Sequence, residues 1–298
     1  MITHPRMCVA LSFVLLLPAL PLRVSGQSFD TQQIRNEYIV DWTTHELIIR
    51  TTRSVESQTA NAPIAVHLTE READYSLPQL LNTALRGVQR DTADTVATAI
   101  EDLPSLAAEI TRLVPHVRRS SSRRSQDLSE LTVEYRLPLF PASTELFGLH
   151  EVASPFPRNL ERVPSRDFTG IVVYVADLLP VHGTNRREHL QGALFSRIYD
   201  TEMNPVLDPK MMDPKYLQQW GPLAYSTDPQ AAGYEDRIGD DPLRILARGV
   251  FGITPTDVLI SSTDAARILG RPANLELLRE GRVVFVIASE SSRTRIGP

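Results

Sequence analysis

Hydrophobic and polar residues alternate or recur at helical spacing in the first half of the chain. Apolar residues flank a turn within residues 38–52, which predicts a hairpin. From Ser76 onward leucine and alanine recur every three or four residues, and Ser76 with Gln79 has the spacing of a helical capping box. A second helix is predicted from about Pro104, followed by a half-buried strand over residues 131–137, where apolar and polar residues alternate strictly.

The pattern changes in the second half of the chain. Two apolar runs of strand length, residues 169–176 and 282–288, show no alternation, which is typical of strands buried on both faces at the centre of a sheet. Between them the sequence predicts strands at 193–199, 243–251 and 257–260 and helices at 214–220, 262–270 and 274–280. The fold class predicted is therefore α+β, with two small mixed domains, each a sheet packed with helices.

Less regular segments set the domain boundaries. Residues 141–166 contain four prolines and no long periodic run, so they are predicted to be a linker. We expect an N-terminal α+β domain at 27–140, a C-terminal α+β domain at 167–290 and a tail at 291–298.

The start of the chain predicts export. An apolar run from Val9 to Leu20 follows Arg6, is too short to span a bilayer, and ends near small residues before Gln27. Residues 1–26 are therefore predicted to be a cleaved signal peptide, with an uncleaved anchor as the alternative. Cys8 precedes the apolar run, which argues against lipidation. The expected location is the periplasm or the periplasmic face of the outer membrane, with no transmembrane span after cleavage.

Composition narrows the candidate chemistry. Apolar residues make up 42% of the chain and charged residues 22%, which is a normal globular balance. Removal of residues 1–26 leaves 29 basic residues against 36 acidic ones, which argues against nucleic acid as a partner. It also removes the only cysteine, which excludes thiolate catalysis and cysteine-bound zinc. No cofactor is predicted.

Two polar segments are candidate interaction surfaces. The first is the segment 118–125, which has no apolar residue and could bind an anionic surface, although a solvated loop is the simpler interpretation. The second follows the first central strand, where two histidines flank a carboxylate without matching a strong metal-binding spacing. The predicted surface residues are Arg118, Arg119, Arg123, Arg124, His182, Asn185, Arg186, Arg187 and His189.

Catalytic patterns are weak. The acids Glu235, Asp236, Asp240 and Asp241 lack the alternating ligand pattern of a calcium loop, and we interpret them as turn formers or as partners of Arg237 and Arg244. Glu202 and Asp208 could be the carboxylate pair of a hydrolase. The sequence has no nucleophile elbow, phosphate loop or dinucleotide-binding glycine turn. We therefore predict no catalytic residues, no metal site and no enzymatic activity.

A series of short motifs in the second region carries a family resemblance: residues 168–173, 196–200, 221–225, 237–243, 256–261, 264–269 and 282–286. With residues 40–42 and 133–139 of the first region, they resemble secreted bacterial proteins similar to flagellar assembly protein T and to small outer-membrane lipoproteins encoded beside flagellar genes. Against that family, Pro78 is expected to interrupt a longer helix, and an insertion follows at 182–189.

The resemblance implies a non-enzymatic structural or assembly protein of the envelope, at or near the flagellar basal body. Its expected partners are envelope or basal-body proteins, with self-assembly and cell-wall contact also considered. Two alternatives stay open from the residues alone: a periplasmic module that binds wall glycan or another anionic surface, and a carboxylate-dependent hydrolase.

Overall fold

The computed structural model describes residues 34–55, 62–148, 150–157 and 163–297, and the predicted signal peptide lies outside them. Its strands are β1 (Arg35–Asp41), β2 (Glu46–Ser54), β3 (Arg118–Arg124), β4 (Glu130–Pro138), β5 (Ile171–Tyr174), β6 (Leu179–Pro180), β7 (Arg187–Glu188), β8 (Ile198–Asp200), β9 (Pro205–Leu207), β10 (Ala224–Ser226), β11 (Leu243–Leu246), β12 (Gly249–Phe251), β13 (Asp257–Ile260), β14 (Val283–Val286) and β15 (Arg293–Ile296).

Its helices are α1 (Ala62–Arg86), α2 (Val96–Asp102), α3 (Leu106–Arg112), α4 (Leu139–Phe147), α5 (Pro214–Trp220), α6 (Glu235–Ile238), α7 (Ser262–Leu269) and α8 (Pro272–Arg279). Within the described part of the chain, no helix combines the length and the apolar character needed to cross a membrane. The fold is mixed α+β, as the sequence predicts.

The first sheet is antiparallel, with the strand order β15-β1-β2-β4-β3. The predicted hairpin is β1 and β2, and strict alternation in β4 buries every second residue. The buried face packs against α1, α2 and α3 through a hydrophobic core that includes Tyr135, Leu81 and Ile110. The opposite face carries charged residues that pair across strands, such as Arg50 with Glu134.

Strand β15 departs from the sequence prediction. Residues 291–298 are expected to be a tail, but Arg293–Ile296 pairs antiparallel with β1, and the Trp42 indole donates to Thr294 Oγ1 at 2.9 Å. The chain therefore returns to the first sheet after completing the second region. A residue-by-residue pattern cannot reveal this pairing, because its partner lies about 250 positions earlier.

The second region contains two four-stranded sheets. One is parallel with the order β10-β14-β5-β11, so the two apolar runs form its central strands, as predicted. The other has the order β12-β13-β8-β9 and combines parallel and antiparallel pairs. The predicted strand at 193–199 is shorter, since only residues from Ile198 onward are extended in β8. The stretch 243–251 divides into β11 and β12.

The larger of two hydrophobic core clusters among the described residues contains side chains of both regions and joins them. Trp42, just after β1, meets Tyr225 of β10 edge to face, with ring centroids 5.9 Å apart. Gly192 lies directly against the Trp42 ring, and a methyl group added there would stand 2.4 Å from it. A side chain at position 192 would therefore separate the two regions.

Helix α1 begins earlier than predicted and runs through Pro78. Ser76 is not its N-cap: the Ser76 hydroxyl lies inside the helix, donates to the Ala73 carbonyl at 2.8 Å and accepts from buried Arg53 at 2.6 Å. An interior proline costs about 3 kcal/mol, whereas each fully buried leucine contributes about 1.5–3 kcal/mol. The buried Leu77, Leu80 and Leu81 therefore outweigh the proline.

The segment 139–147, much of it predicted as linker, also differs. It forms α4, with a kink at Phe140 and a cis bond before Pro141. The predicted second helix of the first domain is α3, and α2, of the same length, precedes it. Helix α5 has its predicted bounds, and α7, capped by Ser261, begins at Ser262 as predicted and ends one residue earlier than predicted, at Leu269.

Candidate interaction surface

The arginine segment is an edge strand, not a loop. Among the strands of the described residues, β3 pairs only with β4, and six of its seven residues are exposed. Its register places Arg119 opposite Tyr135 and Arg123 opposite Thr132, with a bulge between Arg119 and Ser121. An edge strand can be polar on both faces because it needs only one neighbour for its backbone hydrogen bonds. Because segment 118–125 has no apolar residue, its sequence shows no alternation that would predict a strand.

The inner side of β3 faces α1, where its charge is neutralised. Arg119 forms an ion pair with Asp74 and lies 3.6 Å from Glu70, and the Ser122 hydroxyl donates to Glu70 at 2.6 Å. The Tyr135 hydroxyl donates to Asp74 at 2.7 Å, and burial together with this bond raises the pKa of Tyr135. Arg119 is therefore a structural residue that joins β3 to the helix.

The outer side of the first sheet carries a ladder of paired charges. Arg50 of β2 lies 3.2 Å from Glu37 of β1 and 2.8 Å from Glu134 of β4. Arg136 continues the ladder, 3.0 Å from Glu134 and 2.9 Å from Glu46. Burial raises the pKa of Glu134, but hydrogen bonds from Arg50, Ser120 and Arg136 outweigh it and lower that pKa to about 2. Each of these acids already has a cationic partner.

The ladder stops before β3. Within the described ranges, the guanidinium groups of Arg118 and Arg123 have no ion pair and no hydrogen bond, and Arg124 donates only to the Leu128 carbonyl at 3.0 Å. Arg118, Arg123 and Arg124 are exposed. We call these three residues the free arginines of β3. They are the part of the predicted cationic surface that is available to a partner.

The second predicted segment lies at another sheet. Residues 179–188 form the small β6–β7 hairpin, joined to β12 by a bridge between Val181 and Val250. Most of its predicted surface residues have partners within the chain. His182 packs its ring against Phe251, Arg186 pairs with Glu188 at 2.8 Å, Arg187 donates to Leu178 O, and His189 contacts Ala176 O and Glu290. Asn185 is exposed.

The acidic candidates do not form a shared site. Glu202 lies in the turn between β8 and β9, whereas Asp208 follows β9 at the other end of this hairpin and binds Arg197 at 2.9 Å. Among residues 34–55, 62–148, 150–157 and 163–297, no three or more His, Cys, Asp or Glu side chains are grouped as they would be to hold a metal ion.

The expected pairing of Arg237 and Arg244 with neighbouring acids is wrong. Arg237 is buried and donates to three carbonyl oxygens, those of Gly281 at 2.6 Å, Gly221 at 2.9 Å and Trp220 at 3.1 Å. Burial lowers the pKa of Arg237 to about 9, so it is still cationic at neutral pH. Burial and this nearby charge lower the pKa of His45 to about 3. Arg244 donates instead to the Tyr174 hydroxyl at 2.5 Å.

Sequence reasoning missed a buried charged cluster beside Arg197. Asp257 is fully buried; its Oδ1 accepts from the Arg197 backbone at 2.9 Å, and its Oδ2 has no hydrogen-bond partner in the part of the chain that the structure describes. The Arg197 guanidinium lies 3.9 Å from that oxygen and binds Asp208. Burial raises the pKa of Asp257 to about 7. A Thr-Asp pair at the start of a strand gave no signal for such a group.

A cavity of about 360 Å³ lies next to this cluster. Its wall includes Arg90 and Asp91 from the first region and Arg197, Asp208 and Lys210 from the second. Arg90 is engaged by Asp91 at 3.2 Å and Asp94 at 2.6 Å. Four charged residues of the wall therefore pair with one another, Arg90 with Asp91 and Arg197 with Asp208, which favours a structural junction over a ligand site.

These features define a two-part α+β chain with the free arginines of β3 on the edge of its first sheet. Comparison with protein families gives two matches in the same order along the chain. Residues 33–146 match the N-terminal domain of Treponema pallidum Tp0624, and residues 170–289 match the second domain of that protein. The chain is therefore similar to two consecutive domains of Tp0624. Among curated proteins, no sequence matches the chain.

Proposed function

We propose that this chain is an exported, non-enzymatic envelope protein that acts by binding other proteins, with the outer edge of β3 as its main contact surface. The observation that carries the proposal is the contrast between β3 and the rest of its sheet. Charges on β1, β2 and β4 pair across strands, whereas the free arginines of β3 do not. Unpaired cations beside an open strand edge are suited to binding a partner.

Helix α1 supports the same proposal. Its outward face carries Ile64, Leu68 and Tyr75, which are 52%, 50% and 73% exposed. Their spacing places them along one side of the helix. Exposed apolar side chains in a row are more typical of a contact surface than of a solvated face.

A cellular experiment tests the proposed function. The proposal includes a role at the flagellar basal body, which rests on the sequence resemblance alone, so we expect deletion of the gene to reduce swimming and to alter basal-body images. The gene with Arg118→Ser and Arg123→Ser should restore these phenotypes poorly, and the gene with Arg186→Ser and Arg187→Ser, altered on the β6–β7 hairpin, should restore them well. Normal motility and unchanged motors after deletion would contradict the flagellar part.

Binding to wall glycan is the second candidate, because the free arginines could also meet an anionic polymer. Purified sacculi distinguish the two. Co-sedimentation of the full chain with sacculi, lost in the Arg118→Ser and Arg123→Ser variant, would favour glycan binding over a protein partner. The hydrolase alternative gains no support, because Glu202 and Asp208 lie at opposite ends of their hairpin.

A further inference from the structure

We infer that the partner of β3 is an extended acidic segment of another protein, which adds to the first sheet as a sixth strand beside β3. This inference rests on the proposed function, because it names the kind of partner that the β3 edge takes. Strand addition supplies affinity through backbone hydrogen bonds and specificity through alternate side chains. Both are available at this edge.

The backbone of β3 leaves a regular set of groups open. The Ser125 N–H donates to the Glu130 carbonyl at 2.9 Å, so the residue pair Ser125 and Glu130 is hydrogen-bonded across the two strands. In an antiparallel ladder, alternate residues point their N–H and C=O groups toward the neighbour and away from it. Following the register toward Arg123, the backbone groups of Ser122 and Arg124 point away from β4. They would face an added strand.

The arginines set the charge and the spacing of that strand. Arg118 and Arg123 lie on the outer face, opposite Arg136 and Thr132 of β4, which are four residues apart. Side chains four residues apart in a strand share a face and are separated by about 13 Å. An added strand with two acidic residues at positions i and i+4 would place one carboxylate beside each arginine. Acidic residues at i and i+3 would fall on opposite faces.

The same charges argue against a second copy of this chain. If two β3 strands paired antiparallel about Ser121, the bulge would bring Arg118 of one copy opposite Arg123 of the other, both on the outer face. Like charges directly opposite each other destabilise a strand pair. The edge is thus protected against self-pairing while it remains complementary to an acidic strand.

A lipid surface fits less well. The free arginines do not lie on one face of the sheet, because Arg118 and Arg123 belong to the outer face and Arg124, opposite Leu131, belongs to the inner face. The remaining arginine of the segment, Arg119, is already used by Asp74 and Glu70 of α1. A flat anionic membrane would meet no continuous cationic plane.

Synthetic peptides test the inference with the full chain. The probe is a capped peptide of about nine alternating threonine and valine residues, with glutamates at two positions four residues apart. Two controls replace both glutamates by glutamine or place them three residues apart. We expect the first peptide to bind about tenfold more tightly than either control, from two close charge pairs. The protein with Arg118→Ser and Arg123→Ser should lose about the same factor, and the hairpin variant Arg186→Ser with Arg187→Ser should lose none.

Amide hydrogen exchange distinguishes strand addition from charge attraction alone, because charge attraction alone would not protect the backbone amides of β3. On binding of the acidic peptide, the amides of Ser122 and Arg124 should become protected, whereas the amide of Arg123, already directed toward β4, should change little. Circular dichroism checks that the exposed substitutions leave the fold intact.

Several results would overturn the inference. They are equal affinity for the glutamate and glutamine peptides, binding without protection at Ser122 and Arg124, or no binding at millimolar peptide. The chain could instead be retained by heparin or by anionic vesicles, with retention lost in the same arginine variant and no protection of the amides. That result would show that the partner is a polyanion or a lipid surface and not an acidic strand. The peptide result decides the nature of the partner, and the deletion phenotype decides the proposed function, so each can fail alone.

Discussion

Replacing Asp257 by asparagine tests the electrostatics of the junction between the two regions. Asp257 is fully buried, one of its carboxylate oxygens has no hydrogen-bond partner among the described residues, and burial raises its pKa to about 7. An aspartate in an unfolded chain has a pKa of about 3.9. Between these two values the folded protein holds a proton that the unfolded chain has released. Its free energy of unfolding therefore falls as the pH rises through this window and stays low above it.

The size of the effect follows from the two pKa values. Their difference corresponds to about 4 kcal/mol of unfolding free energy, and we take about 2–4 kcal/mol as the measurable range. Asparagine has nearly the same shape, keeps an oxygen for the Arg197 backbone and carries no charge. We expect Asp257→Asn to be more stable than the wild type by this amount at about pH 8.5, and by about 1 kcal/mol or less at about pH 4.5.

The assay is urea unfolding followed by tryptophan fluorescence at both pH values. A matched control is Asp177→Asn, because Asp177 is exposed and the same chemical change there should alter stability by less than about 0.5 kcal/mol. A stability difference between Asp257→Asn and wild type that is the same at both pH values would refute the reasoning. A larger gain at low pH would refute it as well.

Two further substitutions and one truncation test the fold. Pro78→Ala should stabilise the protein by up to about 3 kcal/mol in thermal unfolding. Pro63→Ala, in the first turn of the same helix, should have little effect. Equal shifts of the two variants would contradict the explanation given for α1. Truncation after Ser292 removes β15 and should lower the melting temperature by several degrees, and an unchanged melt would show that this strand adds nothing. Arg237→Met removes the donor from three carbonyl oxygens and should lower the free energy of unfolding in urea by about 3 kcal/mol. Arg237→Lys should recover part of this loss. A Met variant as stable as the wild type would contradict this role of Arg237.

The structure separates the arginines of the predicted cationic surface into paired and unpaired ones. Composition alone identifies the arginines of 118–125, but it treats all four as equivalent. In the structure Arg119 pairs with Asp74, which is 45 positions away, while Arg118 and Arg123 have no partner among the described residues. Which cation is free depends on which helix packs against which side of a strand. That depends on tertiary contacts and not on local sequence.

By itself the sequence determined the elements whose reason for forming is local. The hairpin of β1 and β2, the alternation of β4, the central position of β5 and β14, and the bounds of α5 follow from periodicity, turn residues and caps. Tertiary structure alone decided the pairing of β15 with β1, the strand state of β3, the continuity of α1 through Pro78 and the burial of Asp257. In each of these cases a residue or backbone segment is stabilised or strained by distant partners. A sequence pattern covers only neighbouring positions, so it carries no information on such partners. They come into contact only in the folded protein.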